Sequence, residues 1–370
     1  MQTEWVKDIE KTLDPEVIRR AGEIIRGGGL VAFPTETVYG LGGDALNPRS
    51  AEKIYAAKGR PSDNPLIVHI CRLEDLDKIA TGISEQALRV AERFWPGPLT
   101  MIFKKTSLVP SQTTGGLDTV AVRFPDHPVA LAFIREAGGF VAAPSANTSG
   151  RPSPTVGKYV YEDMHGKIEM LLDGGQVGIG VESTILDMTE EIPVILRPGY
   201  VTHEMLGEVL ESVHMDPTMF EVRGDLQPKA PGMKYKHYAP KGQLTIVTGS
   251  TPAIRQYIRE QLAEKKSEGY LTGVMVPEEE MHTYHADSIK VTGNRSDSEA
   301  VARQLFRILR EFDDENIAYM YCEAVPDGGI GQAVMNRMLK AAGHRVVDAD
   351  ATVQTSRAQQ DELRKQKIQE

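Results

Sequence analysis

The residues of this 370-residue chain that could do chemistry are cations and short hydroxyls. In KGRPSDNPLIVHI, residues 58–70, Lys58, Arg60, Asn64 and His69 surround a turn that feeds an apolar run. Such strand ends are where α/β sheets present ligand-contacting groups. A bland reading stands beside that one: Lys58 and Arg60 close a helix, where cations complement the dipole, and a lone histidine on a strand is more often structural. Arg123 in VAVRF and Arg197 in VILRPG sit in or beside apolar strands. A buried guanidinium needs an acidic partner, so each must meet a carboxylate or a phosphate. An internal Asp or Glu would meet that need as well as a ligand.

VAAPSANTSGRPSPT, residues 141–155, breaks an apolar strand into Ser145, Asn147, Thr148, Ser149 and Ser153 among Gly and Pro. Short hydroxyls, an amide and free backbone N–H groups suit an anion. The segment holds no acid or base, so any reaction here must work by positioning and charge. FPTETVYGLGGDA, residues 33–45, runs Thr35, Glu36, Thr37 and Tyr39 into Gly40, Gly42 and Gly43. These glycines suit either a close backbone approach to a ligand or a polar turn. Thr119 and Ser183 are hydroxyls entering neighbouring strands and alone say little. DGGIGQAVMNRMLKAAG has the glycines of a phosphate loop but no GxxxxGK[ST], and Val334 stands where a third Gly of GxGxxG belongs, so packing is its preferred role. No metal-ligand spacing, GxSxG or Cys/His nucleophile pattern is present.

The elements that position these groups belong to a chain that, at 370 residues, is too long for one ordinary core and suits two domains. In DPEVIRRAGEIIRGGG, Asp14 can cap, Pro15 suits the first helical position, and Val17, Ile18, Ala21, Ile24 and Ile25 share one face. Short apolar runs starting at residues 30, 66, 99, 120, 140, 183 and 194 then alternate with helical stretches around 50–57, 84–94, 128–137 and 202–211. That mixture predicts an α/β sheet layered with helices. From residue 243 a regular strand-helix alternation predicts a smaller, mostly parallel, Rossmann-like sheet. The expected units are 1–213, a linker at 214–242, a second domain at 243–350 and a polar tail at 351–370.

The linker is unusual: APGMKYKHYAPKG sets Tyr235 and Tyr238 among Lys234, Lys236, His237 and Lys241. A loop this long is usually functional or disordered. A net charge of −10 argues against a general nucleic-acid coat. With no apolar run of membrane length, no apolar leader and two distant cysteines, Cys71 and Cys322, the chain reads as a cytoplasmic protein without disulfides or a membrane partner.

PTETVYGLG, Lys58-Gly59-Arg60-Pro61, PSAN followed by SGRPSPT, ESTI, LRPG and KYKHYAP, in that order, together resemble the long, two-domain form of threonylcarbamoyl-AMP synthase. The match runs from about residue 30 to 340 and includes GGIGQAVMNRMLKAA. The resemblance implies a YrdC-like twisted, open, mixed sheet in the first domain. It also implies an activity: L-threonine, bicarbonate and ATP give L-threonylcarbamoyl-adenylate and pyrophosphate, a nucleotidyl transfer. The product serves N6-threonylcarbamoyladenosine at position 37 of tRNA through a downstream threonylcarbamoyltransferase complex, with room for a weak tRNA contact.

By the same resemblance Thr37, His69, Arg123 and Ser183, with the backbone near Ala143, hold threonine. Lys58, Arg60, Asn64, Thr119, Ser145, Asn147, Ser153 and Arg197 line the ATP side, with Lys58 and Arg60 as the catalytic cations. Mg²⁺ is expected to arrive on the ATP phosphates, without a protein metal site. The linker is expected to fold over the first domain as a lid, with Tyr235 or Tyr238 on the nucleotide. Two rivals are an RNA-binding, translation-associated module without catalysis, and a dinucleotide dehydrogenase built on the second domain.

Overall fold

Asp14 accepts a hydrogen bond from the Glu16 amide and Pro15 opens the helix, so Pro15–Arg26 begins where the sequence places it. Its face of Ile18, Ala21 and Ile25 packs on Val129, Phe133 and Ile134 of the helix Pro128–Glu136. The two helices meet at Gly22, where a Cβ would lie 2.6 Å from the Glu136 backbone. The computed structural model describes residues 2–220, 237–326 and 328–352.

The first sheet runs, in spatial order, Glu4–Val6, Met170–Leu172, Val31–Phe33, Gly40–Asp44, Val141–Ala142, Ile67–His69, Thr119–Arg123, Leu99–Lys105, Thr184–Asp187, Val194–Arg197 and His214–Met215. Ala80–Thr81 pairs with Leu99–Lys105 off that path. Parallel and antiparallel pairs mix, and the seven apolar runs all form strands. His214–Met215 carries this unit just past the expected boundary at 213. The glycine segment at 40–44 is a strand rather than a ligand loop: a Cβ on Gly42 would lie 2.9 Å from the Val141 side chain. Small residues there let neighbouring strands carry bulky ones, although Gly40 also reaches the cleft described below.

The second sheet is wholly parallel: Ser288–Val291, Thr272–Val276, Tyr319–Glu323, Gln243–Thr248 and Val346–Asp348, flanked by the helices Thr251–Ser267, Ser298–Asp314 and Ile330–Ala341. Its strands stand third, second, fourth, first and fifth in chain order. The dinucleotide-binding arrangement is 3-2-1-4-5-6, so the topology joins the missing GxGxxG fingerprint in counting against the dehydrogenase reading. No helix among the described residues is long and apolar enough to cross a membrane. Cys71 and Cys322 are both buried and free.

The two sheets are joined by buried charge. Arg310, on Ser298–Asp314, is fully buried and donates to Asp163 at 3.0 and 2.7 Å and to the Pro152 carbonyl at 3.0 and 2.6 Å. Arg337, on Ile330–Ala341, reaches Glu182 of the first domain at 3.0 Å. These arginines are the two largest fully buried side chains among the described residues. The seam is also tight: a Cβ on Gly180, which sits at φ 89°, would lie 2.4 Å from the Ala302 carbonyl oxygen and 2.5 Å from the Arg303 Cα.

Breaking a buried ion pair from one side leaves an uncompensated charge. Arg310→Met should therefore destabilise the protein by about 3 kcal/mol. The change would be read from a lower denaturant midpoint and faster limited proteolysis at the domain seam.

Candidate active site

The floor of one cleft is written into strand register. His69 and Arg123 end adjacent parallel strands as direct partners, and Arg123 in turn faces Thr100. The Thr100 hydroxyl lies 2.8 Å from that of Ser183, and Ser183 accepts from Arg197 through its carbonyl at 3.0 Å and its hydroxyl at 3.1 Å. One line across the sheet thus sets His69, Arg123, Ser183 and Arg197 side by side.

A second wall comes from the helix Pro48–Lys58, capped by Asn47 and closed by Gly59 at φ 63°, a left-handed turn that glycine adopts without strain. The turn directs Lys58 inward. Its ammonium donates to the carbonyls of Ser145 and Asn147, the latter at 2.6 Å. Burial pushes its pKa well below the ordinary lysine value, and nearby Arg60 adds to the effect. Arg60 donates to the Pro65 carbonyl at 3.2 Å, while its Nε has no partner among the described residues. Burial lowers Arg60 and Arg197 to about 10 each. Among the described residues, no carboxylate forms a salt bridge with Lys58 or Arg60. The C-cap reading of these two cations is thus too bland: both are buried, not dangling in solvent.

The carboxylates of the site are committed elsewhere. Glu182 accepts from Ser153 at 2.6 Å and from Arg337 at 3.0 Å. Burial favours its neutral form, but Arg337 and then Arg197 outweigh that and hold its pKa below the usual carboxylate value. Glu36 lies 2.8 Å from Arg123, but not along a hydrogen-bond direction, so both keep unused hydrogen-bonding capacity. His69 is buried, with Nδ1 3.2 Å from the Ile67 carbonyl. Burial and the Arg123 charge lower its pKa to about 3, so the ring is neutral at pH 7.

Eleven anticipated residues line this cleft: Lys58, Arg60, His69, Arg123, Ala143, Ser145, Asn147, Ser153, Ser183, Arg197 and Tyr238. Three stand off its wall. Thr37 is fully buried behind it, its hydroxyl 2.9 Å from that of Thr35. Asn64 is buried near Arg60, with neither amide atom partnered among the described residues. Thr119 opens the strand that Arg123 closes and pairs with Lys104, so four residue steps along the strand, about 13 Å, separate it from the cleft end. Tyr235 lies outside the described residues, as do Lys234 and Lys236.

The described end of the connector does enter the cleft. His237 and Tyr238 line it, and the Ala239 amide donates to the Gly150 carbonyl at 2.9 Å. The Tyr238 ring stacks on Phe306 at 5.0 Å between centroids. Burial, then the Glu182 carboxylate, raises its phenol to about 12. Glu36, Glu182, His237 and Arg337 stand within motifs whose residue types and spacing assign them no part. For Arg337 a signal existed, since a cation occupies the apolar stripe of Ile330, Val334, Met338 and Ala341. No group of three or more His, Cys, Asp or Glu among the described residues could hold a metal ion.

Residues 23–199 match the family model described as "Telomere recombination", and residues 201–343 match "Threonylcarbamoyl-AMP synthase, C-terminal domain". The threonylcarbamoyl-AMP synthase of Bacillus subtilis is 46% identical over 347 residues, covering 93% of this chain and 98% of that protein. That of Pyrococcus abyssi is 46% identical over 340 residues, covering 92% and 98%. The chain belongs to the threonylcarbamoyl-AMP synthase family. The crystal structure of P. abyssi Sua5 complexed with L-threonine superposes with a TM-score of 0.88 at 45% identity, covering 94% of this chain and 99% of that one. The mixed first sheet and parallel second sheet are therefore the architecture of this family.

Two outcomes follow. Pyrophosphate or triphosphate should raise the melting temperature, by the equivalent of about 2.7 kcal/mol at a hundredfold excess over Kd. Lys58→Met and Arg60→Met should lose most of that gain in a thermal-shift titration. His69 has a folded pKa below its unfolded value, so its contribution is complete above about pH 6.5 and is lost as pH falls towards 3. Unfolding midpoints measured from pH 7 to 4 should fall less steeply in His69→Asn than in the parent.

Proposed function

We propose that this chain combines L-threonine, bicarbonate and ATP into L-threonylcarbamoyl-AMP, pyrophosphate and water, for later transfer to adenosine 37 of tRNA by a separate transferase complex. The observation carrying this reading is the pair of buried cations, Lys58 and Arg60, bonded to backbone carbonyls and facing a shell of hydroxyls. Such a site favours a polyanion, because the cost of burying the cations is already met in the folded chain.

Threonine fits at the Arg123 end. Arg123 and Glu36 offer a guanidinium and a carboxylate with unfilled hydrogen-bonding capacity, the polarity an α-amino acid zwitterion requires. The neutral amine and bicarbonate give the carbamate and water. A carbamate oxygen then forms a bond to the α-phosphorus as the bond to pyrophosphate breaks. Lys58, Arg60 and Arg197 would neutralise phosphate charge, while Ser145, Asn147 and Ser153 would fix its orientation. No side chain need become covalently attached, so alignment and charge account for the rate. Mg²⁺ would enter on the nucleotide phosphates. His237 and Tyr238 would cover the reacting groups and limit hydrolysis of the carbamate and the mixed anhydride. The absence of a membrane-length helix and the family's chemistry are consistent with work in the cytoplasm.

The test is pyrophosphate release from ATP with threonine and bicarbonate omitted in turn. Release should need both. Release that persists without threonine, or RNA binding with no release at all, would sink the assignment and favour the binding-module reading.

A further inference from the structure

The second domain has no assigned part in the chemistry, yet its Arg337 stands directly behind the cleft. Arg337 is fully buried. Its Nε donates to Glu182 Oε2 at 3.0 Å, one Nη donates to the Pro198 carbonyl and the other to the Glu182 carbonyl at 3.4 Å. Glu182 Oε1 accepts from the Ser153 hydroxyl at 2.6 Å, and both Glu182 and Ser153 line the cleft. The Tyr238 phenol lies against the same carboxylate. Neighbouring Asn336 ties the helix to the Met219 carbonyl at 2.8 Å, so the end of the first domain also fixes the position of Arg337.

Glu182 is thus a negative charge on a wall whose other charged residues, Lys58, Arg60, Arg123 and Arg197, are cations. Left unopposed, it would repel phosphate. With Arg337 behind it, its charge is compensated and both oxygens are engaged, one holding Arg337 and the other orienting Ser153.

We infer that Arg337 is a positioning residue for nucleotide binding: the second domain supplies the counter-charge that makes Glu182 tolerable beside ATP and aims Ser153 into the cleft. This rests on the reading of the cleft as a nucleotide site. Arg337 touches no reacting atom, and its influence passes through Glu182. The chain therefore needs its second domain for the electrostatics of the first, and not only as an anchor for the connector.

The experiment measures the Kd of a non-hydrolysable ATP analogue with Mg²⁺ by calorimetry on the full chain, with KM values for ATP and threonine from pyrophosphate release. Arg337→Met should weaken analogue binding and raise the ATP KM about thirtyfold or more, the size seen for leaving one buried charge unpaired. The threonine KM should move less than about twofold, because Arg123 lies outside the Arg337 contacts. Adding Glu182→Gln to Arg337→Met should return analogue affinity to within about threefold of the parent, a non-additivity that general loss of packing would not produce. If Arg337→Met does not fold, Arg337→Lys decides, since it keeps the charge but cannot reach both Glu182 and the Pro198 carbonyl, and should cost about threefold or more in ATP alone. Unchanged analogue affinity in the folded variants, equal losses for ATP and threonine, or no rescue by Glu182→Gln would overturn the inference. A parent chain that binds the analogue but releases no pyrophosphate would instead overturn the proposed activity, while leaving the affinity comparison intact.

Discussion

Positive charge held out of water without a matching carboxylate is the constraint on which this molecule depends. An ammonium or guanidinium loses several kcal/mol of hydration on burial. The folded chain bears that cost at Lys58 and Arg60 with backbone carbonyls and the Asn147 side-chain amide oxygen. The surroundings must therefore be rigid enough to keep the cations from turning outward. The strand register through His69, Arg123, Thr100 and Ser183 provides that rigidity. So does the left-handed turn at Gly59, which ends the helix where Lys58 must point inward.

A second constraint follows from the first. A lobe rich in buried cations can pair some of them internally only by placing carboxylates near its own ligand site, where they work against an anionic ligand. Glu36 and Glu182 are such groups, and each is held by an arginine. For Glu182 that arginine comes from the other domain. The same solution recurs at Asp163, opposite Arg310. Both second-domain arginines stand where a helix would ordinarily place an aliphatic residue, so the interface resembles a core whose largest members carry charge.

Much of this was legible in the residues. Strands with uninterrupted apolar runs were readable, because burial on both faces leaves no other pattern. The second domain's alternation was clear for the same reason. Gly40–Asp44 does not read as a strand, because its glycines leave no side-chain period to detect. The two-residue and three-residue strands His214–Met215 and Met170–Leu172 are too short to show any period. In the site, residues from separate motifs meet at one cleft. Thr37, Asn64 and Thr119 stand off its wall, since a motif gives sequence neighbours without saying which way each side chain points. Arg337 and Glu182 escaped because their importance lies in each other, across 155 positions.

The close approach at Gly180 bears on how independent the two domains are. Where even a methyl group cannot fit between the two lobes, neither can slide or hinge over the other without separating backbone from backbone. The two domains therefore meet there as closely as neighbouring elements of one core, and the residues that wall the cleft beside the seam owe their placement to both halves of the chain.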